Sequence, residues 1–215
     1  MNSETLDDLS PMLPADFFTF EMTVHPYEKM GDKLKKKHQL PDLSDLLIEE
    51  SFASLAIGWS AAGLRFDIEV ERPFVEAFYP DVLRGDSVEL FIDTRNLKSA
   101  GFPTRFCHHF AFLPKPVDGI QAVEKTRLRP DEMRELAPQE LLKVESVFKR
   151  RGYQIQIFLP SEALHGYDPK VFEKLGFAFR INRSGGDPMH FPLCSDQFEI
   201  GLHPSLWSSL KIGMK

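Results

Sequence analysis

The chain has 215 residues, a formal net charge of −6 and two cysteines, Cys107 and Cys194. This length suffices for one domain with its own hydrophobic core, so stability requires neither disulfides nor a metal. The acidic balance argues against a general nucleic-acid binder, because affinity for phosphates needs a basic surface. No apolar run reaches the ~20 residues of a membrane span. Residues 1–9 lack the basic start and apolar centre of a signal peptide, so we expect a cytoplasmic protein without membrane contact.

Residues 1–50 have an irregular pattern with several prolines, and we expect them to form an N-terminal extension that packs on a domain of residues 51–215. The extension contains a basic run, residues 33–38, with the sequence Lys-Leu-Lys-Lys-Lys-His. Such a run either contacts an anionic partner or is a solvated loop or short helix face. Acidic neighbours such as Asp32 and Asp42 favour the solvated face.

From residue 54 onward, apolar and polar residues alternate in short segments, which is typical of half-buried β-strands. Residues 60–63 between the first two segments predict a hairpin turn. In chain order, strands are predicted over residues 54–59, 65–71, 86–93, 106–113, 153–159, 177–181 and 206–212.

Residues 127–146 interrupt the alternation. Pro130 followed by Asp131 and Glu132 predicts the start of a short helix, and a second short helix is predicted after Pro138. Short strands separated by turns favour an all-β fold, an antiparallel β-sandwich of about eight to eleven strands with this short helical insertion.

Several segments, in order, resemble family 9 carbohydrate-binding modules and the related DOMON-like β-sandwich domains. The most recognisable is a strand with the sequence Asp86-Ser87-Val88-Glu89, and the resemblance extends over about residues 54–215. The segments that carry it are residues 59–70, 85–93, 152–164, 175–182 and 204–212.

The resemblance implies a non-catalytic sugar-binding domain. In the sugar-binding members two exposed tryptophans enclose the sugar ring, one just before the Asp-Ser-Val-Glu strand and one just before the closing Pro-Ser segment. In this chain those places hold Leu83 and either Gly201 or Leu202. The nearest aromatic substitutes are Phe78, Tyr79 and Trp207.

The predicted ligand-binding residues combine polar side chains with aromatic ones, because a sugar offers an apolar C–H face and a rim of hydroxyls. Glu89 matches the family's polar contact, although pairing with a cross-strand arginine is an alternative role for it. Trp207 lies on a predicted closing strand and is alternatively a core residue. The full set is Glu89, Arg180, Gln156, His108, Tyr79 and Trp207.

The most metal-like stretch is Cys107-His108-His109, in which Cys107 and His109 share a strand face while His108 points the other way. A site there would need two further ligands, for which His190 and Cys194 are candidates at a spacing unlike a standard zinc motif. We therefore predict no metal and no other cofactor. The resemblance adds calcium as an ion to consider, although no dense Asp/Asn loop is present.

Catalytic chemistry has little support in the sequence. Asp67, Glu69 and Glu71 share one strand face and include pairs of carboxylates of the kind used in glycoside hydrolysis, but such a row is usually the solvated face of a strand. Haem binding, known among DOMON-like domains, would need axial ligands such as His108 and Met189 or His190.

Two functions follow from the sequence. The first is a non-enzymatic binding domain for a saccharide or a similar hydroxylated small ligand. The alternative is a protein-interaction or scaffold domain that keeps the sandwich and has lost the sugar site. The missing tryptophans favour the alternative, whereas Glu89 favours the first.

Overall fold

Two β-sheets packed face to face form the molecule in a computed structural model that describes residues 21–28, 33–196 and 198–212. The larger sheet has the strand order β1-β11-β9-β4-β5-β6, with β10 also pairing with β9. The smaller sheet has the order β2-β3-β8-β7. The strands are β1 Glu21–Val24, β2 Ala53–Ser60, β3 Gly63–Val70, β4 Ser87–Asp93, β5 Cys107–Val117, β6 Ile120–Glu124, β7 Lys143–Lys149, β8 Gly152–Pro160, β9 Lys174–Asn182, β10 Met189–Phe191 and β11 Ser208–Ile212.

All strand pairs are antiparallel except β1 with β11, which run parallel at the edge of the larger sheet. The prediction of an all-β antiparallel sandwich is therefore confirmed. The N-terminal part of the chain contributes to it directly, because β1 and the bridge between Gln39 and Ala56 attach residues from before position 50 to the two sheets. Residues 1–20 lie outside the described residues.

The core lies between the sheets, where every second residue of the alternating segments points inward. Phe66 of β3 stacks on Phe177 of β9 with ring centroids 5.8 Å apart. Val88, Leu90 and Ile92 of β4 are fully buried in the same core. The hairpin between β2 and β3 requires Gly63, which has φ +141°, and a Cβ there would lie 2.1 Å from the carbonyl oxygen of Leu159.

Helices are short throughout the described chain. The α-helix is α1, Ser44–Leu47, and no helix of the described residues is long and apolar enough to cross a membrane. Single 3-10 turns make up the rest, at Lys36–His38, Val82–Arg84, Pro130–Glu132, Gln139–Leu141, Ser161–Ala163, Ile200–Leu202 and Pro204–Leu206.

The insertion predicted over residues 127–146 is less helical than expected. Its two helices are the single 3-10 turns Pro130–Glu132 and Gln139–Leu141, and β7 already begins at Lys143. Proline and acidic residues favour the first turn of a helix but do not favour further turns, so each of these segments forms a single turn.

Candidate functional site

Two irregular segments cover the outer face of the larger sheet and leave a cavity of about 210 Å³ between them. Residues 74–82 pack on the sheet at Ala111 and Leu113. Residues 200–207 pack on it at Phe91 and Ala178. Leu83, directly after the first segment, bounds the cavity on one side, and Glu199, Ile200, Gly201 and Leu202, around the start of the second segment, bound it on the other. The floor and sides are formed by Glu89, Phe91, His109, Lys125, Arg127 and Arg180.

Glu89 is one of the residues that line the cavity, and its side chain is 1% exposed. Arg180 is its cross-strand partner in β9, and both Nε and an Nη of Arg180 lie 2.7 Å from Oε2. Asn182 donates to the same oxygen at 3.0 Å. His109 Nε2 lies 2.8 Å from Oε1. The carboxylate is thus held by three side chains from two neighbouring strands.

Glu89 is ionised at neutral pH in spite of its burial. Burial raises the pKa of the carboxyl, but the hydrogen bond from His109 and the charge of Arg180 outweigh it and bring the pKa to about 2. The result is a negative charge that the protein holds in a fixed position below the cavity.

His109 forms part of this site although the sequence analysis did not select it. Its ring stacks on Phe91 with centroids 4.3 Å apart, and burial lowers its pKa, so the ring is neutral at pH 7. A carboxylate only accepts hydrogen bonds, so Nε2 carries the proton and Nδ1 has a free lone pair.

The site retains hydrogen-bonding capacity for a ligand. Oε1 of Glu89 accepts one hydrogen bond, from His109, and a carboxylate oxygen can accept two. Nδ1 of His109 is a second acceptor, and Lys125 and Arg127 bring donors to the rim. Donors and acceptors together around a small cavity suit a ring that carries hydroxyl groups.

Of the six residues predicted from the sequence, the structure brings Glu89 and Arg180 together in this cavity. The two aromatic residues lie elsewhere. Trp207 is 1% exposed and its Nε1 donates to the carbonyl oxygen of Ile200 at 2.8 Å, so it fixes the segment that bounds the cavity. Tyr79 belongs to the segment 74–82 and packs against the apolar cluster that joins this segment to the sheet.

The other two predicted polar residues face away from the cavity. His108 lies on the inner face of β5, fully buried, with Nδ1 2.9 Å from Glu124. Gln156 belongs to β8 in the smaller sheet and lines a groove on that sheet's outer face. Sequence periodicity shows which residues of a strand share a face, but it does not show which sheet the strand joins or which of its faces points outward.

Leu83, Gly201 and Leu202, which stand where the sugar-binding members carry tryptophans, all line the cavity. Leu83 is 52% exposed at the rim. A Cβ on Gly201 would lie 3.3 Å from the Phe91 ring, so glycine lets this segment approach the floor closely. The described residues at the rim therefore provide aliphatic contacts in the two places where the resemblance implies aromatic ones.

One group of described residues has the composition of a metal site. Ligand atoms of Glu49, His190 and Cys194 lie within 4.8 Å of one another. Both ring nitrogens of His190 already contact protein groups, Nδ1 with Glu49 Oε1 and Nε2 with Ser195 Oγ, each at 2.6 Å. This hydrogen-bonded set joins the loop after α1 to β10. Cys107, which belongs to the most metal-like stretch of the sequence, is not in the group.

No protein-family model matches the chain, and no curated protein sequence is similar to it. The fold does match solved structures. A family 9 carbohydrate-binding module from Caldicellulosiruptor kristjanssonii in complex with cellotriose has a TM-score of 0.64 and 13% identity, over 91% of this chain and 95% of that chain. A family 9 module from the same organism in complex with glucose has a TM-score of 0.62 and 14% identity, over 91% and 97% of the chains. The chain therefore has a fold like that of the family 9 carbohydrate-binding modules, as the sequence resemblance predicted.

Proposed function

We propose that this chain is a non-catalytic binding domain for a saccharide or a similar hydroxylated small ligand, which it holds in the cavity above Glu89. The observation that carries the proposal is the fixed carboxylate of Glu89, which lines the cavity together with cationic and aliphatic side chains and whose Oε1 accepts a single hydrogen bond, from His109. The complexes of two structural neighbours with cellotriose and glucose support the same ligand class.

The size of the cavity points to a single ring as the bound unit. Its volume of about 210 Å³ is below the ~300 Å³ at the lower end of drug-sized ligand sites. We expect hydroxyl groups to bond Glu89 and His109, while Leu83 and Leu202 contact the C–H faces. A longer saccharide would place one unit in the cavity and gain little from the others.

The test is a thermal-shift and calorimetric titration with glucose, cellotriose and a panel of other mono- and oligosaccharides. A bound ligand at a hundred times its dissociation constant stabilises a fold by about 2.7 kcal/mol. We expect such a shift in the wild type and at least about tenfold weaker binding in Glu89→Gln, because hydrogen bonds to a charged group contribute ~1.5–3 kcal/mol.

Two further variants make the result specific to the cavity. Glu145→Gln, the same change at an exposed position of β7 in the other sheet, should leave affinity unchanged. Arg127→Ala removes a side chain that is 80% exposed at the rim, so it should weaken binding without loss of stability even if Glu89→Gln does not fold.

The alternative is a protein-interaction domain, and the exposed Leu83 at the rim is the observation that favours it. A folded wild type that responds to no saccharide would contradict our proposal and support this alternative. Equal loss of affinity in Glu89→Gln and Glu145→Gln would likewise exclude the cavity as the site.

A further inference from the structure

The smaller sheet carries a polar groove of about 390 Å³ on its outer face, on the opposite side of the sandwich from the Glu89 cavity. Its floor is formed by β2, β3 and β8, and includes Asp67, Glu69 and Gln156. Its rim is the basic run of the N-terminal segment, which contributes Lys33, Lys35 and Lys36. We call this feature the basic groove.

The rim of the basic groove is fixed to the sheet by hydrogen bonds. The backbone N–H of Leu34 donates to Asp67 at 2.9 Å, and the Leu34 side chain is buried. Two residues after the 3-10 turn, the N–H of Leu40 donates to the carbonyl oxygen of Leu55 at 2.9 Å. The backbone that carries the lysines is therefore positioned before any ligand arrives, which lowers the entropic cost of binding.

The carboxylates of the floor are already partnered. Asp67 accepts from Arg65 at 3.1 Å as well as from Leu34. Glu69 accepts from Gln154 at 3.0 Å and lies 3.4 Å from the ammonium of Lys149. Their negative charge is thus largely balanced within the sheet.

The lysines of the rim have no such partners. Within the described part of the chain, no acidic side chain forms an ion pair with Lys33, Lys35 or Lys36, and all three are exposed. In a protein with a net charge of −6, the three lysines make this groove a local concentration of positive charge next to amide and hydroxyl groups.

We propose that the basic groove is a second binding site, for an acidic saccharide whose carboxylate or sulfate groups contact the lysines and whose hydroxyls contact the polar floor. The groove is larger than the Glu89 cavity and within the ~300–1,000 Å³ range of small-molecule sites. The lysines recognise the charged groups of the ligand, and the amide of Gln156 offers both a donor and an acceptor to its hydroxyls.

The experiment is a calorimetric titration of the full chain with three probes of similar length: an oligogalacturonate, a sulfated oligosaccharide and the neutral cellotetraose. We expect one or both acidic probes to bind and the neutral probe to bind at least about tenfold more weakly at this site. The two acidic probes distinguish carboxylate from sulfate recognition. Binding should weaken as salt rises from 50 to 300 mM, because the Debye length falls below ~10 Å.

Variants of the basic run locate the site. Lys35→Gln combined with Lys36→Gln should weaken binding of the acidic probe about five- to tenfold. Lys37→Gln, in the same run but outside the groove lining, should change the affinity for that probe less than about twofold. Gln156→Ala should weaken it without altering the salt dependence. Glu89→Gln should have no effect here, so this proposal and the one for the Glu89 cavity fail separately.

Three outcomes would overturn the proposal: equal weakening of the neutral and the acidic probes by the Lys35/Lys36 change, equal effects of the Lys37 and Lys35/Lys36 changes on the acidic probes, or no binding of either acidic probe by the folded wild type at 50 mM salt.

Discussion

Two buried glutamates lie on opposite faces of the larger sheet, each beside a histidine and an arginine. Glu89 on the outer face is paired with His109 and Arg180. Glu124 on the inner face is paired with His108 and Arg134. For both carboxyls, burial raises the pKa, but hydrogen bonds and nearby cationic charge outweigh it and give a pKa of about 2. Adjacent histidines serve the two clusters because successive residues of a strand point to opposite faces.

The difference between the clusters lies in what remains free. Glu124 accepts from His108 at 2.9 Å, from Thr126 at 2.6 Å, from the backbone of Ala137 at 2.6 Å and from both terminal nitrogens of Arg134. Its acceptor positions are filled, and it is fully buried. Glu89 lines a cavity, and its Oε1 accepts a single hydrogen bond. The same residue types therefore make an internal anchor in one place and a candidate ligand contact in the other.

The largest expected effect is the loss of the internal anchor. Glu124→Ala would leave the buried charge of Arg134 without its carboxylate and remove the hydrogen bond from the Ala137 backbone, and breaking a buried pair on one side costs about 3–5 kcal/mol. Urea denaturation should show this loss in the free energy of unfolding. Saccharide affinity measured on the folded fraction should stay within about twofold of the wild type.

Glu145→Ala, at an exposed carboxylate of β7, is the control and should change stability by less than about 0.5 kcal/mol. A comparably small change for Glu124→Ala would show that the inner cluster is not an anchor.

The second effect is the pH dependence of stability. The folded-state pKa of Glu89, about 2, is below its usual value of 4.5, so its stabilisation is present above pH 4.5 and is lost as the pH falls towards 2. The difference corresponds to about 3 kcal/mol. Glu89→Gln removes this titration, so the stability gap between wild type and variant should narrow between pH 5 and pH 2.5.

Urea unfolding at pH 6, 4 and 3 measures the gap, and parallel profiles for the two proteins would contradict the assigned pKa. Burial also lowers the pKa of His108 and His109. The stability contributed by the neutral His108 is therefore lost at higher pH, as the pH falls below the unfolded value of about 6.5. Both proteins should share this decline, because His108 lies on the opposite face of the sheet from Glu89.

A smaller effect is expected from Asn182, which supports Glu89 from the neighbouring strand. Its amide donates to Glu89 at 3.0 Å and to Ser87 at 2.9 Å. Asn182→Ala should cost about 1–2 kcal/mol of stability, since buried acceptors lose a donor. Saccharide affinity should fall less than in Glu89→Gln, because Arg180 and His109 still hold the carboxylate. An affinity loss as large as that of Glu89→Gln would mean that Asn182 itself contacts the ligand.

The sequence predicted the strands whose residues alternate strongly, such as β3 and β4, and missed those with weak local signals. β10 has only three residues, and β7 is exposed along most of its length, so neither has a clear apolar face. The edge strand β1 depends on its parallel partner β11 and has no independent pattern.

The candidate site was predictable only in part, for a related reason. Glu89 and Arg180 were selected from a family motif and from strand parity. His109 reaches Glu89 only because β4 and β5 pair with Glu89 opposite Ala111, a register that no local pattern gives. For the same reason, parity separates His108 from His109 but does not say which of them faces the cavity.

The substitution Leu83→Trp would give the rim of the Glu89 cavity an aromatic residue at one of the two places where the resemblance implies one. Leu83 is 52% exposed, so Leu83→Trp should change stability by no more than about 0.5 kcal/mol. An indole at this position can stack on the C–H face of a bound ring, and such aromatic contacts contribute ~0.5–1.5 kcal/mol, which corresponds to roughly two- to tenfold tighter binding. Leu46→Trp, at an exposed position of α1, is the matched control and should leave affinity unchanged. If Leu83 is instead part of a protein interface, the larger ring will not improve saccharide binding, and the two tryptophan variants will behave alike.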